Sequence, residues 1–161
     1  MIELNSSFLN SFESILRTLK LRLSFFQQFL DDEKQLLNKQ DLEALEASTL
    51  NKQTFINDVQ TSMNELKDSL NSQSFEEKNI HAVLDLYPPQ KRQEMQALWN
   101  EVKMGLEQCD QKNLLNGILI TTMKNLNDVL LSIIAQRPQE STYSNQPNNP
   151  NTPVSTREHK A

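Results

Sequence analysis

Few residues of this chain could carry out covalent or metal chemistry, and none stands at a spacing that would let it. There are two histidines, His81 and His159, and one cysteine, Cys109. A helix or turn offers a metal two ligands on one face when imidazoles or thiolates recur three or four positions apart, and neither histidine has such a neighbour. His81 therefore reads as a surface or hinge histidine. Cys109 occupies a position of an apolar heptad stripe, where a thiol packs as a small hydrophobe rather than acting as a nucleophile. A lone cysteine also forms neither an intrachain disulfide nor a multi-cysteine metal site. The acidic runs Asp31-Asp32-Glu33 and Glu76-Glu77 hold the carboxylates that acid–base chemistry needs. Such runs are common on solvated helix faces and at helix starts, and they are read that way here. Phosphate-cradling loops need glycines at set positions, and the two glycines, Gly105 and Gly117, cannot supply one. The chain is not read as an enzyme, and no catalytic, metal or cofactor-binding residue is expected.

What remains is an arrangement of helices. With 161 residues the chain can bury one core and carry some tail. Its 37% hydrophobic and 6% aromatic content is low for a compact globule but usual for long amphipathic helices. A β-rich or α/β fold would need many more turn glycines, so the fold class is all-α. The net charge of −5, with no basic cluster, leaves nucleic-acid binding without electrostatic support. No apolar run is long enough to span a membrane. Met1-Ile2-Glu3 leads straight into an amphipathic pattern, which predicts no signal peptide and a soluble, cytoplasmic protein.

Residues 2 to 38 hold the most regular pattern. Ile2, Leu9, Leu16, Leu23, Leu30 and Leu37 recur every seven residues, with Phe12, Leu19 and Phe26 at the matching d positions until Glu33 breaks that series. Phe8, Ile15, Phe29 and Leu36 widen the stripe to that of a bundle helix. At 1.5 Å per residue this is about 55 Å of helix. The chain turns around Asn38 to Asp41, and Asp41 is a suitable N-cap for the next helix. Residues 42 to 71 repeat the heptad more weakly, with Thr49 and Lys52 as gaps. The short connection predicts an antiparallel hairpin of two long helices. Ser74 followed by Glu77 reads as a capping box opening a short linking helix through Ile80, Val83, Leu84 and Leu86. Tyr87-Pro88-Pro89 stops that helix and starts the third long one.

The third long helix, running to about Arg137, is overlong (roughly 70 Å), so at least one end should project or bend. Its heptad stripe runs Met95, Leu98, Val102, Cys109, Leu119, Met123, Leu126, Leu130 and Ile133, and fails only at Gly105, Lys112 and Asn116. Trp99, beside the stripe, is expected to anchor this helix to the hairpin. Beyond the break the helix is apolar outside its stripe as well, at Leu114, Leu115, Ile118, Val129 and Leu131, and a helix apolar on several faces needs more than one partner surface. The hairpin together with a second copy of the chain, giving a homodimer, and a client helix laid into a groove remain equal candidates for that cover. The group Asn113, Asn116 and Gly117 reads as a register-fixing polar break with a small residue at a close crossing. Met95 to Leu106 should then pack within the chain, and Ile118 to Ile134 should be available to a partner. From Pro138 onward, Pro138, Pro147, Pro150 and Pro153 are set among Asn, Ser, Thr and Gln, a composition that cannot offset the entropy of ordering. Residues 1–137 are accordingly expected to form a helical domain and 138–161 a disordered tail.

Several of these features occur in an order that resembles the FlgN family of flagellar export chaperones. They are the long first helix ending in the acidic, leucine-rich segment Phe29 to Leu37, then Lys52 shortly after Leu50, then Trp99. The Asn113-x-x-Asn116-Gly117 centre and Tyr143 complete the series. The resemblance covers about residues 5 to 143 and rests on the ordered combination rather than on one motif. A glycine often follows the tyrosine in the family, whereas Ser144-Asn145-Gln146-Pro147 has none. The resemblance implies a cytoplasmic chaperone that binds the C-terminal amphipathic helices of hook-associated proteins (FlgK/FlgL-like). It would prevent their premature assembly and deliver them to a gate component (FlhA-like) of the flagellar type III export system. It implies client binding by the last helix, through Leu114, Leu115, Ile118, Met123, Val129, Leu131 and Ile134, and a gate contact around Tyr143. The rival expectations are a self-assembling coiled-coil scaffold and an export chaperone for a filament or cap protein.

Overall fold

The computed structural model describes residues 2–76 and 79–134. Within them the chain forms α1 (Ile2–Asn38), α2 (Leu42–Ser72), α3 (Ile80–Leu84) and α4 (Pro89–Ile134), with no strand among the described residues. The all-α class, the long-helix hairpin, the short linking helix and the third long helix match the sequence expectation. The chain divides into two compact units, Met1–Lys124 and Asn125–Ala161. In the second, the described residues are the last turns of α4; the expected boundary at 137/138 lies outside the described residues.

In the first unit α2 runs antiparallel to α1. Phe29 meets Phe55 with ring centroids 5.0 Å apart, Arg22 donates to Ser62 Oγ at 2.7 Å, and Phe8 stacks on Phe75 at 6.1 Å. α4 instead runs parallel to α1. Tyr87 Oη donates to the Leu9 carbonyl (2.7 Å), Lys91 pairs with Glu13 (2.8 Å), Lys20 with Glu101 (2.7 Å) and Lys112 with Asp31 (2.8 Å). The core follows the heptads: Phe12, Leu16, Leu19, Leu23, Phe26 and Leu30 of α1 are buried against Met95, Leu98 and Val102 of α4 and Leu66 and Leu70 of α2. α2 is the looser member, with Phe55, Ile56, Val59 and Met63 only partly covered, as its weaker pattern predicts. The short α3 buries Ile80, Val83 and Leu84. Behind it, Arg92 donates to the carbonyls of Asp85 (2.7 Å) and Tyr87 (3.3 Å), a cation placed where a helix ends in free carbonyls.

Two helix ends show how local chemistry sets the hairpin. α1 stops with Gln40 at φ 56° and α2 with Ser74 at φ 60°. In each case the next residue's amide reaches back to the third-last helical carbonyl, Asp41 N to Leu36 O (3.1 Å) and Phe75 N to Leu70 O (3.0 Å). This is the Schellman arrangement. Asp41 then caps α2, its carboxylate accepting from the Ala44 amide at 3.1 Å. The capping box expected at Ser74 is a correction: Ser74 closes α2 rather than opening α3, which has Asn79 at its N-cap with no side-chain cap bond. Glu77 lies outside the described residues. A left-handed backbone costs a non-glycine residue about 1–2 kcal/mol. Gln40→Gly should therefore raise unfolding stability by about 1 kcal/mol. A urea titration showing an unchanged or lower midpoint would refute this.

Candidate functional site

The site begins where the regularity of α4 fails. Its three stripe interruptions have three different physical causes. At Gly105 the helices come close: an added Cβ would lie 3.3 Å from Leu23 Cδ1. Lys112 reaches outward to Asp31, both partly solvated. Asn116, 2% exposed, is buried, and its amide donates to the Leu30 carbonyl (2.8 Å) and to Glu33 Oε1 (3.0 Å). The same Glu33 carboxylate accepts from Lys52 Nζ at 3.0 and 3.2 Å.

Glu33, Lys52 and Asn116 thus form one polar layer, with one residue from each long helix. Each stands at a break in its own helix's heptad, so one gap from each of the three long helices belongs to a single structural feature. The solvated-face reading of Asp31-Asp32-Glu33 is corrected at Glu33, which is buried; Asp31 stays about half exposed while pairing with Lys112. Complementary polar residues at stripe positions of the three long helices were the signal for this layer. The close crossing falls at Gly105 and not at Gly117, where an added Cβ would meet nothing within 4 Å.

From residue 117 to residue 125 no side chain of α4 is buried. Leu114, Leu115, Ile118 and Leu119 are between 39% and 65% exposed. They are spaced three and four apart and so adjoin on the helix surface. Leu119 belonged to the expected stripe and is exposed instead. Thr121 and Thr122 turn their hydroxyls back to the carbonyls of Gly117 (3.0 Å) and Ile118 (2.9 Å), leaving little unsatisfied polarity among the leucines. Asn113 and Met123 are half-buried, and Leu131 is exposed. The side chains of Val129 and Ile134, and Tyr143 altogether, lie outside the described residues. The arrangement can cover the apolar face of another helix.

The remaining candidates are structural. Burial pushes the Cys109 thiol up to about 11, with Sγ 3.6 Å from the Leu23 carbonyl, so it is neither ionised nor open at neutral pH. Trp99 is half-buried against the core, with Lys103 Nζ 5.9 Å above its ring. His81 is exposed on α3. Tyr87, which the sequence offered only as part of a helix stop, is buried, and burial raises its phenol well above the ordinary value. Lys91 hydrogen-bonds the Glu13 carboxyl and, against the opposing effect of burial, holds it below the usual range. Glu94 joins the same network through Lys91 and Arg17. Among the described residues there is no group of three or more metal-ligating side chains, and no helix long and apolar enough to cross a membrane.

Compared with known proteins, the chain matches the family described as FlgN protein over residues 3–151. No curated protein and no solved structure matches it.

Proposed function

This chain belongs to the FlgN family, whose members are flagellar export chaperones, and from that premise we propose that α4 receives the C-terminal amphipathic helix of a hook-associated protein. The observation that carries the reading is the adjoining exposed group Leu114, Leu115, Ile118 and Leu119, on either side of the buried Asn116. A client helix that polymerises through its own apolar face is a hazard while unassembled, and an apolar strip on a non-polymerising partner can shield it. The client must later be released, so moderate affinity suits the task better than a permanent core. In this reading the protein works in the cytoplasm, keeps its client from assembling early and passes it to the export gate. Met123, Val129, Leu131 and Ile134 extend the contact along α4, and Tyr143 contributes to engagement of the gate. A homodimer closing the same strip is the competing occupant.

Leu115→Lys with Ile118→Lys tests the strip. Each of these side chains, once buried, is worth about 1.5–3 kcal/mol, so the pair should weaken binding of a hook-associated C-terminal peptide by at least about a hundredfold. Folding stability should stay within about 0.5 kcal/mol, because both positions are exposed in the free chain. Sedimentation with and without the peptide reads the outcome. A stable oligomer that ignores the peptide would replace the chaperone reading by the scaffold one. A large fall in thermal stability would place the two residues in the core.

A further inference from the structure

We propose that Glu33, Lys52 and Asn116 form a clasp, and that the stretch of α4 from Cys109 to Lys124 opens as a local unit when the clasp lets go while the rest of the bundle stays folded. The inference does not rest on the client reading. It comes from how differently the two halves of α4 are held.

The first half is held by apolar burial: Met95, Leu98 and Val102 are within 4% of full burial, and Gly105 brings the backbone up against Leu23. From Cys109 to Lys124 that mode of attachment runs out. Beyond Cys109 itself, the only described residue buried in this stretch is Asn116. Beyond Cys109 polar contacts tie the stretch to α1: Lys112 to Asp31 at 2.8 Å, and Asn116 to the Leu30 carbonyl at 2.8 Å and to Glu33 at 3.0 Å. Apolar contact weakens gradually as surfaces part, whereas hydrogen bonds are lost over a short displacement and leave buried groups unpaired. A segment with little buried apolar surface belongs to the low-stability end of a protein's local openings.

Lys52 completes the device. By pairing with both Glu33 oxygens it fixes the carboxylate in the orientation that receives Asn116, so the α1–α2 hairpin presents a ready-made acceptor to α4. The two acceptors facing the Asn116 side chain, a main-chain carbonyl and a carboxylate, both require the amide nitrogen to point at them. The polarity of the clasp is thus set by the hairpin and read by α4.

Cys109 is a native probe of such opening, because its thiol is buried one heptad before Asn116. In the full chain, Asn116→Ala should raise the rate at which an aromatic disulfide reagent modifies Cys109 by at least tenfold. Val83→Ala, a core truncation in α3, should lower the unfolding midpoint yet leave that rate within twofold, because the local opening bypasses α3. An unchanged rate in Asn116→Ala, or an equal acceleration in both variants, overturns the proposal. Hydrogen exchange on the unmodified chain tests it without any substitution. Amides of residues 110–124 should exchange through an opening that is nearly independent of low urea concentrations, and those of 92–104 through one that is steeply urea-dependent. A common urea dependence for the two sets would show that α4 opens only with global unfolding.

Discussion

Lys52→Met is expected to lower the stability of the helical bundle by about 3–5 kcal/mol, the cost of leaving a buried ionised partner uncompensated. The substitution keeps most of the lysine stem and removes only the ammonium, so packing changes little. What it strands is Glu33, whose side chain is 3% exposed and would retain a single side-chain donor, Asn116. Domains of this kind are stable by about 5–15 kcal/mol in all, so the loss should move a urea midpoint far enough to read directly. The same argument requires the complete apolar replacement, Glu33→Leu with Lys52→Met and Asn116→Leu, to recover most of the loss, since then no charge is left to strand. If the single substitution costs under about 1 kcal/mol, water reaches Glu33 and the layer is not a closed one.

Phe12→Ala is expected to cost about 3–5 kcal/mol by the same measurement, because a fully buried ring leaves a cavity its neighbours can only partly fill. Phe8 packs against it with centroids 6.0 Å apart, and the heptad neighbours Leu16 and Leu19 are equally covered. The internal control is Phe25→Ala. It removes the same side chain from the same helix, but Phe25 is 56% exposed, and the change should stay within about 0.5 kcal/mol. Similar losses at both positions would mean that Phe25 is covered in solution, by a second copy or another surface. The comparison therefore measures both the core and the accessibility of the back of α1.

The stability of the first unit and its candidate binding strip come from the same heptad logic applied with different completeness. Where stripes of two helices face each other without a break, as from Phe12 to Leu23 against Met95 to Val102, the unit is closed. Where α4 continues with leucines that have no partner within it, apolar surface is left over. The proposed client contact would use that surplus, with the exposed Leu114, Leu115, Ile118 and Leu119 as its address.

Much of the architecture could be read directly from residue order. Helix class follows from a seven-residue period, from the scarcity of glycine and from capping at Asp41, all properties of neighbours within a few positions of one another. The hairpin follows from the short turn, and the interruption in α4 is visible as three non-apolar residues among four neighbouring stripe positions, Gly105, Cys109, Lys112 and Asn116. The resemblance to FlgN proteins was legible for a similar reason, as an ordered series of local features. One local inference failed locally: Ser74 and Glu77 have the capping-box spacing, but the free carbonyls at the end of α2 claim the Ser74 region first.

The sequence by itself determined that this chain is a set of long amphipathic helices with a polar break in the last. Only the tertiary structure decided what the break is for. Glu33 and Lys52 are separated by 19 residues and Glu33 and Asn116 by 83. No period or turn rule links such distant positions; they meet because the hairpin folds back and α4 lies parallel to α1. The same holds for the glycines: residue order pointed to Gly117 as the small residue at a close crossing and to Gly105 only as a gap in the stripe. Only the path of Leu23 makes Gly105 a close crossing and leaves Gly117 in open space. Backbone pattern is a short-range property and can be read residue by residue, whereas burial belongs to surfaces that exist only once the helices have been brought together.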